Sequence, residues 1–576
     1  MIKKNKFHCN VQRKLKLLAI FCSLSIALFA QTKSISGVVK SAEDGETLVG
    51  VNVMVKGTTT GTITNIDGRY TLTVPNSDAV LVFSMIGMQK AEQKVGANTI
   101  INITLSSDTR LIDEVVVTGY STQKKADLTG SVTIVDINDL KKVNNSNAMQ
   151  SLQGKVAGMI VTGDGSPSGA GTTVRLRGIG TLNNNDPLYI VDGVPTKEGI
   201  NLLNPNDIES IQVLKDASSA TIYGSRAANG VIIITTKKAK DGSLQITANA
   251  RTTYSFYSSK LSVLDAQGYG QAFWQAKVND GLDPNANSIS YQFDWAKDAN
   301  GTPVLNKIIL PDYLNTAKTL KTANTDWFDA VSQVGASKNY DVTLTNGTEK
   351  GHSLVTLDYT KNDGIIKTTN FERVTARINT DYKLINNKLL VGENLSLSRS
   401  SQVDNNVLDA ALQALPIIPI RTVDGIGWGG PVGGMNDRQN PVRLLEDNKQ
   451  NNSINLRIFG NFFADLEIIK NLHLKTNMGV DYISTNYRNM QLTYQSGYLS
   501  NATNNVTNYQ GSSSNWVWSN TLSYQLNKKK HVLDALIGTE MVYHGDESFY
   551  ATRENFELQD PDYMYLSAGT GAAGNG

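Results

Sequence analysis

Cysteine is almost absent from this chain: two occur in 576 residues, Cys9 and Cys22, and both sit near the N-terminus. If that end is removed, no disulfide, thiolate metal site or cysteine nucleophile can form. Histidine is scarce as well, at five residues, and no acidic residue precedes Glu43. After residue 30 no segment reaches roughly 18 uninterrupted apolar residues, which excludes a transmembrane helix. A mature chain that crosses a bilayer must then do so with strands closed into a barrel.

What is present at the start is a leader. Lys3, Lys4, Lys6, Arg13, Lys14 and Lys16 precede the uncharged run LLAIFCSLSIALFA, Leu17 to Ala30. That run is shorter than the ~20 residues a spanning helix needs and ends in small residues, as a secretory signal does. Cleavage after Ala30, or after Ala27, fits. Lipid attachment at Cys22 is disfavoured by the bulky Phe21 before it. Removing residues 1–30 takes both cysteines away. It leaves 48 of the 54 basic residues against 52 acidic ones, a net charge of about −4. The basic character belongs to the leader, so nothing in the charge points to nucleic acid.

Residues 33–107 read as short alternating strands: ISGVVK, GVNVMVKGT, GRYTLTVP, AVLVFSMIGMQ and TIINITL. Asp67-Gly68 is placed for a tight hairpin. The segment predicts an all-β sandwich and resembles the carboxypeptidase regulatory-like domain through GTTTGTITNIDGRYTLTVP, a resemblance that implies an accessory fold without catalytic residues. The turn Asn65 to Gly68 is not an EF-hand loop, which would need an acid at Ile63 and a glutamate at Val74.

Residues 111–120, LIDEVVVTGY, place three valines where a linker is expected. Residues 121–238 follow with strands GMIVTG, TTVRLRG, PLYIVDGVP, IESIQVLKD and GVIIITTKK. Two short helices interleave with them, AMQSLQ capped by Ser146 and stopping near Gly154, and SSATIYG. Mixed elements over this length predict an α/β domain.

From residue 243 to 576 the strands lengthen and pair: INLRIFGNFFADLEI with NLHLKTNMGVDYI, and NWVWSNTLSYQL with HVLDALIGTEMVY. Leu456, Ile458, Phe462, Ala464 and Leu466 share one face, continued by Leu472, Leu474, Met478, Val480 and Tyr482. Asn455, Arg457, Asn461 and Asp465 share the other. Trp516, Trp518, Tyr524 and Tyr543 are placed near strand ends, as in an interfacial girdle. Tight links such as Ile469 to Asn471 and Asn527 to Lys530 contrast with long polar stretches, Ser401 to Asn452 and Asn486 to Asn515. Long strands, aromatic girdles and alternating connection lengths predict an outer-membrane β-barrel over a soluble β-domain.

The order of these parts resembles the SusC/RagA family of TonB-dependent outer-membrane transporters. Four stretches carry the likeness: LIDEVVVTGYSTQKKADLTGSV, SLQGKVAGMIVTGDGSPSGAGTTVRLRGIGTL, NNNDPLYIVDGVP and LNPNDIESIQVLKDASSATIYGSRAANGVIIITTKK. The resemblance implies a multidomain chain of sandwich, α/β plug and antiparallel transmembrane β-barrel, without catalytic residue, metal or cofactor. It also implies that Asp113, Glu114, Val115, Val116, Val117, Thr118 and Gly119 form the TonB box, captured as an added strand by the inner-membrane energy protein TonB. Strand addition requires a β-prone but unpaired segment, and the valines meet the first condition. The competing reading makes this run an edge strand of one of the neighbouring domains. Further implied partners are a SusD-like surface lipoprotein, an oligosaccharide or peptide ligand, and outer-membrane lipid. The TonB box and the sandwich would lie in the periplasm.

Other motifs weigh less. GDGSPSGAG, Gly163 to Gly171, lacks the Gly-Lys-Ser/Thr ending of a phosphate loop and reads as a turn. Asp186 and Asp192 are expected to pair with Arg175 or Arg177 and hold the plug, ahead of the alternative that they face ligand. His544 and Glu547 have HxxE spacing, but no histidine follows His544 to complete a zinc site; this HxxE is placed where a strand runs into a loop. Trp428 and Tyr498 are too few to argue for aromatic sugar platforms in the long loops. The best functional reading is import of a large nutrient, with glycan oligomers ahead of peptides. The alternative is a non-transporting surface receptor or adhesin on the same scaffold, but a dedicated signalling receptor would carry another module where the sandwich stands. About nine barrel strands are countable, odd in number and well short of the about 22 in a plugged transporter, so the sequence is expected to be either a fragment or the product of a truncated gene.

Overall fold

The computed structural model describes residues 33–42, 44–58, 60–85, 88–106, 115–118, 121–124, 132–135, 147–196, 203–216, 221–259, 261–286, 290–528 and 531–576. The expected leader, Ser146, Asp113, Glu114 and Gly119 lie outside these residues. Two compact units emerge, one carrying the N-terminal strands and the other the plug and the large sheet.

The N-terminal strands are β1 (Lys33–Ser41), β2 (Asn52–Val55), β3 (Gly61–Ile63), β4 (Arg69–Val74), β5 (Val80–Ser84), β6 (Ala91–Lys94) and β7 (Ile103–Leu105). They form two sheets, β4-β1-β7 and β3-β2-β5-β6. Period-two alternation sends Tyr70, Leu72 and Val74 of β4 inward, where they join Ile35, Val39, Val53, Leu81 and Phe83 in one core. The Asp67-Gly68 turn differs from the sequence expectation. Asn65 Oδ1 accepts from the backbone N–H of Asp67 and Arg69, a tight turn, yet β3 pairs with β2 and β4 with β1. The chain changes sheets here because buried Thr64 fixes the crossing. Its Oγ1 accepts from Val51 N–H at 2.9 Å and donates to Leu48 O at 2.7 Å, satisfying backbone groups that a hairpin ladder would otherwise bond.

In the segment that follows, β8 (Val115–Thr118) pairs with β9 (Ser121–Lys124) in a two-stranded sheet. The plug strands are β10 (Val132–Val135), β11 (Met159–Thr162), β12 (Thr173–Leu176), β13 (Leu188–Val191), β14 (Val194–Thr196), β15 (Ile208–Leu214) and β16 (Val231–Thr236). Five make one sheet in the order β10-β15-β16-β13-β14, with β13 and β16 parallel, while β11 and β12 form a separate hairpin. The run Val231 to Ile234 is buried on both faces: Ile232 and Ile234 join one apolar cluster, Val231 and Ile233 another. A sheet covered on both sides needs continuous rather than alternating hydrophobicity, which is why VIIITT shows no period of two. The described helical pieces are 3₁₀ turns, Gln150–Leu152, Pro205–Asp207 and Thr221–Ala227, the last broken at Gly224. Near the first, Asn147 bonds Met149 N–H at 2.8 Å and Gly169 O at 3.0 Å.

The large sheet comprises β17 (Gly242–Ser255), β20 (Gly335–Thr348), β21 (Gly351–Asp363), β22 (Asn370–Leu384), β23 (Leu389–Val403), β24 (Ser453–Ile469), β25 (Leu472–Gln491), β28 (Asn505–Lys528), β29 (His531–Glu554) and the short β30 (Ala573–Asn575), each antiparallel to the next. Hairpins β18 (Gln292–Lys297) with β19 (Pro303–Ile309), and β26 (Tyr494–Ser496) with β27 (Leu499–Asn501), lie in the connections. On β24 Leu456, Ile458 and Phe462 are exposed while Arg457, Phe459 and Asn461 are buried. This inside-out alternation of polar interior and apolar exterior is that of a membrane barrel wall. Residues 349–350, 385–388 and 470–471 are links at one end; 364–369, 404–452, 492–504, 555–572 and the described parts of 256–334 lie at the other. Among the described residues no helix is long and apolar enough to cross a membrane.

Two sequence expectations about this region are corrected. Asn486 to Asn515 is mostly strand, since β25 and β28 stay paired from Leu472↔Tyr524 to Gln491↔Asn505. At ~3.3 Å per residue, strands of 20 and 24 residues far exceed an apolar band ~25 Å tall. They project past the bilayer, and a wet strand is polar on both faces. Trp516 and Trp518 therefore sit mid-strand, about 10 to 12 residues from Lys528, at the height where the band ends. Trp516 stacks on Tyr543 of β29 at 5.7 Å between centroids.

The long connections build a cap with its own core. Helices α1 (Ala266–Asn279), α2 (Trp327–Val331), α3 (Leu408–Gln413) and α4 (Pro441–Asn448) pack Trp274, Trp327, Leu415 and Ile417 against Tyr291 and Phe293. Trp327 Nε1 donates to Leu415 O at 3.0 Å.

Candidate functional site

The valine run of the expected TonB box is a strand, as its composition requires, but it is not unpaired. Val115–Thr118 is laddered to Ser121–Lys124, its own C-terminal neighbour. A two-stranded ribbon is marginal in water and keeps an open edge, so it can exchange or extend its pairing at low cost.

The plug sits on the inner face of the large sheet, and the contacts between them are mainly polar. At their centre is Asp192. It begins the two-residue link Asp192-Gly193 between β13 and β14, where both residues have positive φ, +49° and +85°. That is the twist a type I′ hairpin needs, and Asp-Gly supplies it. The turn aims the carboxylate away from β14. Oδ1 accepts from Thr236 N–H at 2.9 Å, and Oδ2 accepts from Thr236 Oγ1 at 2.6 Å and from Arg377 Nη2 of β22 at 2.9 Å. Asp192 and Arg377 side chains are 5% and 3% exposed. Arg377 also donates to Thr236 Oγ1, and Asn379 Nδ2 donates to Lys237 O at 2.8 Å.

The other expected plug residues are arranged differently from one another. Arg175 pairs with Asp186 within the plug. Arg177 pairs with Asp216 instead. Asp192 reaches neither plug arginine; its partner is on the sheet, 185 residues away.

Further polar contacts seat the plug. Thr196 Oγ1 donates to Asp481 Oδ2 at 2.8 Å, and Asp481 is held by Arg457 through Nε at 2.8 Å and Nη2 at 2.9 Å. Asn206 Nδ2 donates to Asn339 Oδ1 at 3.1 Å, and Arg226 pairs with Glu540 at 2.6 Å. In the Gly163 to Gly171 turn, Ser168 donates to Asp404 at 3.1 Å and the Pro167 carbonyl accepts from Asn362 at 2.7 Å. Apolar contact is limited: Phe459 joins the plug core, and Gly479 admits Val194 so closely that a Cβ would stand 2.7 Å from Val194 Cγ2. Near Asp192, burial pushes the Asp207 carboxyl up to about 6, against the pull of Arg377. The arrangement is a network of buried charges and hydrogen bonds, each of which water can replace once the surfaces part.

The sequence flagged Arg457 and Asn461 as a polar face but gave no sign of Arg377, Asn379, Thr236 or Asp481. The available signal was charge at inward positions of long strands.

His544 and Glu547 lie within β29 rather than at a strand end, three residues apart and so on opposite faces. His544 instead contacts Asn515 at 2.6 Å and Asp546 at 3.0 Å. No group of three or more metal-type side chains occurs among the described residues. Trp428 has the Arg421 guanidinium 3.2 Å from its ring centroid, and Tyr498 donates to Asn436 O at 3.3 Å. A cap cavity of about 300 Å³, lined by Leu264, Tyr269, Trp327 and Leu415 among others, would hold a small group rather than an oligomer.

Known proteins agree with this geometry. Residues 35–117 match the CarboxypepD_reg-like domain and residues 124–231 the TonB-dependent Receptor Plug Domain. The chain is 34% identical over 517 residues to the TonB-dependent receptor SusC of Bacteroides thetaiotaomicron, covering 84% of this chain and 47% of that one. It is 30% identical over 577 residues to TonB-dependent receptor P3 of Formosa agariphila, covering 97% and 53%. A structure of the RagAB peptide importer in its open-open state aligns with a TM-score of 0.64 at 27% identity, covering 80% of this chain and 53% of that one. The chain thus spans about half the length of the relatives it matches. Over that span, with its regulatory-like sandwich, its plug and its barrel-type sheet, it is a SusC- and RagA-like TonB-dependent receptor.

Proposed function

We propose that the protein imports a large nutrient across the outer membrane by TonB-dependent displacement of its plug. The observation that carries this reading is the polar seat: a folded plug held on an inward sheet face by separable hydrogen bonds and ion pairs, downstream of a short ribbon, Val115–Thr118 with Ser121–Lys124. A pull on Asp113 to Gly119 would pass through residues 120–131 into β10. TonB, energised by its inner-membrane complex, would supply the force from the periplasm, where the sandwich and TonB box would lie. A SusD-like surface lipoprotein would act as partner on the long-loop side. The cargo is read as glycan oligomers, as the family resemblance of the sequence implies. Peptides are the second reading, supported by the likeness to the RagAB peptide importer. No catalytic role is assigned to any residue.

Deleting Asp113 to Thr118 tests the coupling. Uptake of labelled ligand should stop while ligand binding at the cell surface persists; loss of both together would sink the coupling role. Parallel uptake of labelled oligosaccharides and peptides by the same cells separates the two cargo readings.

A further inference from the structure

The inward face of the large sheet meets the plug in two chemically different ways. On β24, β25 and β28 the contact is close and partly apolar: Phe459 joins the plug core, Val194 packs on Gly479, and buried Val517 lies opposite Gly479 on the next strand. On β20 to β23 two cross-strand rows are polar throughout. Asn339, Thr360, Arg373 and Ser400 are directly opposed in one row, and Asp341, Asp358, Thr375 and Ser398 in the other. All of these except Asn339 are buried.

Neither row carries an apolar side chain, an arrangement that a permanently buried face does not need. Thr375 Oγ1, Ser400 Oγ, and Nε and Nη1 of the neighbouring Arg377 have no hydrogen-bond partner among the described residues. A buried polar atom without a partner costs free energy in the seated state, and the cost is relieved when water or a hydroxyl-bearing solute reaches it. The plug sheet is placed to expose this side first. Its β14 edge lies on β25, where Thr196 meets Asp481. β15 instead starts at the β20 wall, directly after the turn Pro205–Asp207, where Asn206 donates to Asn339 at 3.1 Å and to Asp341 at 3.3 Å. β10 covers the other edge of β15, so its loss bares the strand that runs from this turn.

We infer that the solute crosses between the plug and the inward face of β20 to β23, with Asn339, Asp358, Arg373, Thr375 and Ser400 lining its path. The lining suits a neutral, hydroxyl-rich oligomer. Neighbouring side chains within a row are ~5 Å apart and offer both donors and acceptors, as sugar hydroxyls require. Apolar peptide side chains would displace water from these groups and replace none of its hydrogen bonds. The inference rests on the import reading and adds to it the side of the plug on which the passage opens.

The test uses the full chain in cells, with single substitutions Thr375→Cys and Ser400→Cys on the path and Ser519→Cys, buried on β28, as the control. Both path positions carry hydroxyls without a partner, so the seat keeps its bonds. During uptake of a pool of fluorescently labelled neutral oligosaccharides, a sulfonated maleimide should modify Thr375→Cys and Ser400→Cys at least tenfold faster than the same variants lacking Asp113 to Thr118. Ser519→Cys should label equally slowly with and without that deletion, and the unsubstituted chain sets the background. Modification at either path position should then cut oligosaccharide uptake at least tenfold while surface binding persists. Equal labelling at all three positions, labelling at 375 and 400 unaffected by the deletion, or full uptake after modification there overturns the path. Uptake of labelled peptides but not oligosaccharides by wild type overturns the solute class, and uptake of neither overturns the import reading beneath it.

Discussion

Replacing Asp192 with alanine isolates the centre of the plug seat. The substitution removes three accepted hydrogen bonds, two from Thr236 and one from Arg377, and leaves a guanidinium 3% exposed with no carboxylate. Arg377 is already under-satisfied, since Nε and Nη1 have no hydrogen-bond partner. Breaking a buried pair by removing one member costs about 3–5 kcal/mol, because the remaining charge stays buried. At ~1.4 kcal/mol per tenfold, local opening of the plug should become roughly 10²- to several 10³-fold more frequent. Hydrogen exchange at the Tyr189 to Val191 amides, in β13 just before the turn, reads that opening directly. The double variant D192N/R377M is the control. It replaces the pair by groups of similar size that need no charge compensation, and should recover exchange to within about 1 kcal/mol of wild type. A loss below about 1 kcal/mol in D192A, or a double variant less protected than D192A, would refute the reasoning.

Two further substitutions probe neighbouring parts. Gly479→Ala places a Cβ 2.7 Å from Val194 Cγ2 and should cost about 1–3 kcal/mol by overpacking; Val194→Ala in the same chain should restore exchange protection of β14, and failure to do so would place the strain elsewhere. Thr133→Cys with Val213→Cys joins residues directly opposed on β10 and β15. Cys9 and Cys22 are the two native cysteines of this sequence; uptake should stop when the introduced pair is oxidised and return on reduction, and wild-type uptake in the oxidised form would mean that this ladder need not open.

Sequence periodicity was most legible where one face meets lipid and the other the plug. Leu456, Ile458 and Phe462 against Arg457 and Asn461 is a pattern imposed by two different solvents, so it reads directly from the chain. It faded where both faces are wet. The strand ends beyond Asn486 look like loop because nothing there needs to be apolar, although Met490 and Val506 still pack with Phe556 and Met564. The plug helices expected from AMQSLQ and SSATIYG are 3₁₀ turns, since the doubly covered sheet, not helix propensity, sets the space available. The site was the least legible part. Arg175 finds Asp186 eleven residues away, a local contact that spacing can suggest. Asp192 finds Arg377 across 185 residues, and no pattern within either strand encodes that partnership.

The plug and its seat resist a pull in different ways. Inside the plug, β13 and β16 are buried between two apolar clusters, and separating them would expose a large apolar area at once. The seat is spread over distinct contacts at Asp192, Thr196, Asn206, Ser168 and Arg226. Each is worth little net once water can take the partner's place, but they are in parallel and must yield together if the plug moves as a body. The sheet edge is a third case. The four-residue β10 pairs with β15 alone, and among the described residues it is the first strand of the plug sheet after the proposed TonB box. An edge strand of four residues holds less than either the doubly covered centre or the combined seat. Force entering through β10 would therefore strip that strand first, and the seat would then give way contact by contact as the plug edge loosens. On the proposed import reading the passage would open by partial remodelling from β10 inward, which is why a covalent tie between Thr133 and Val213 should close it even with Asp192 and Arg377 intact.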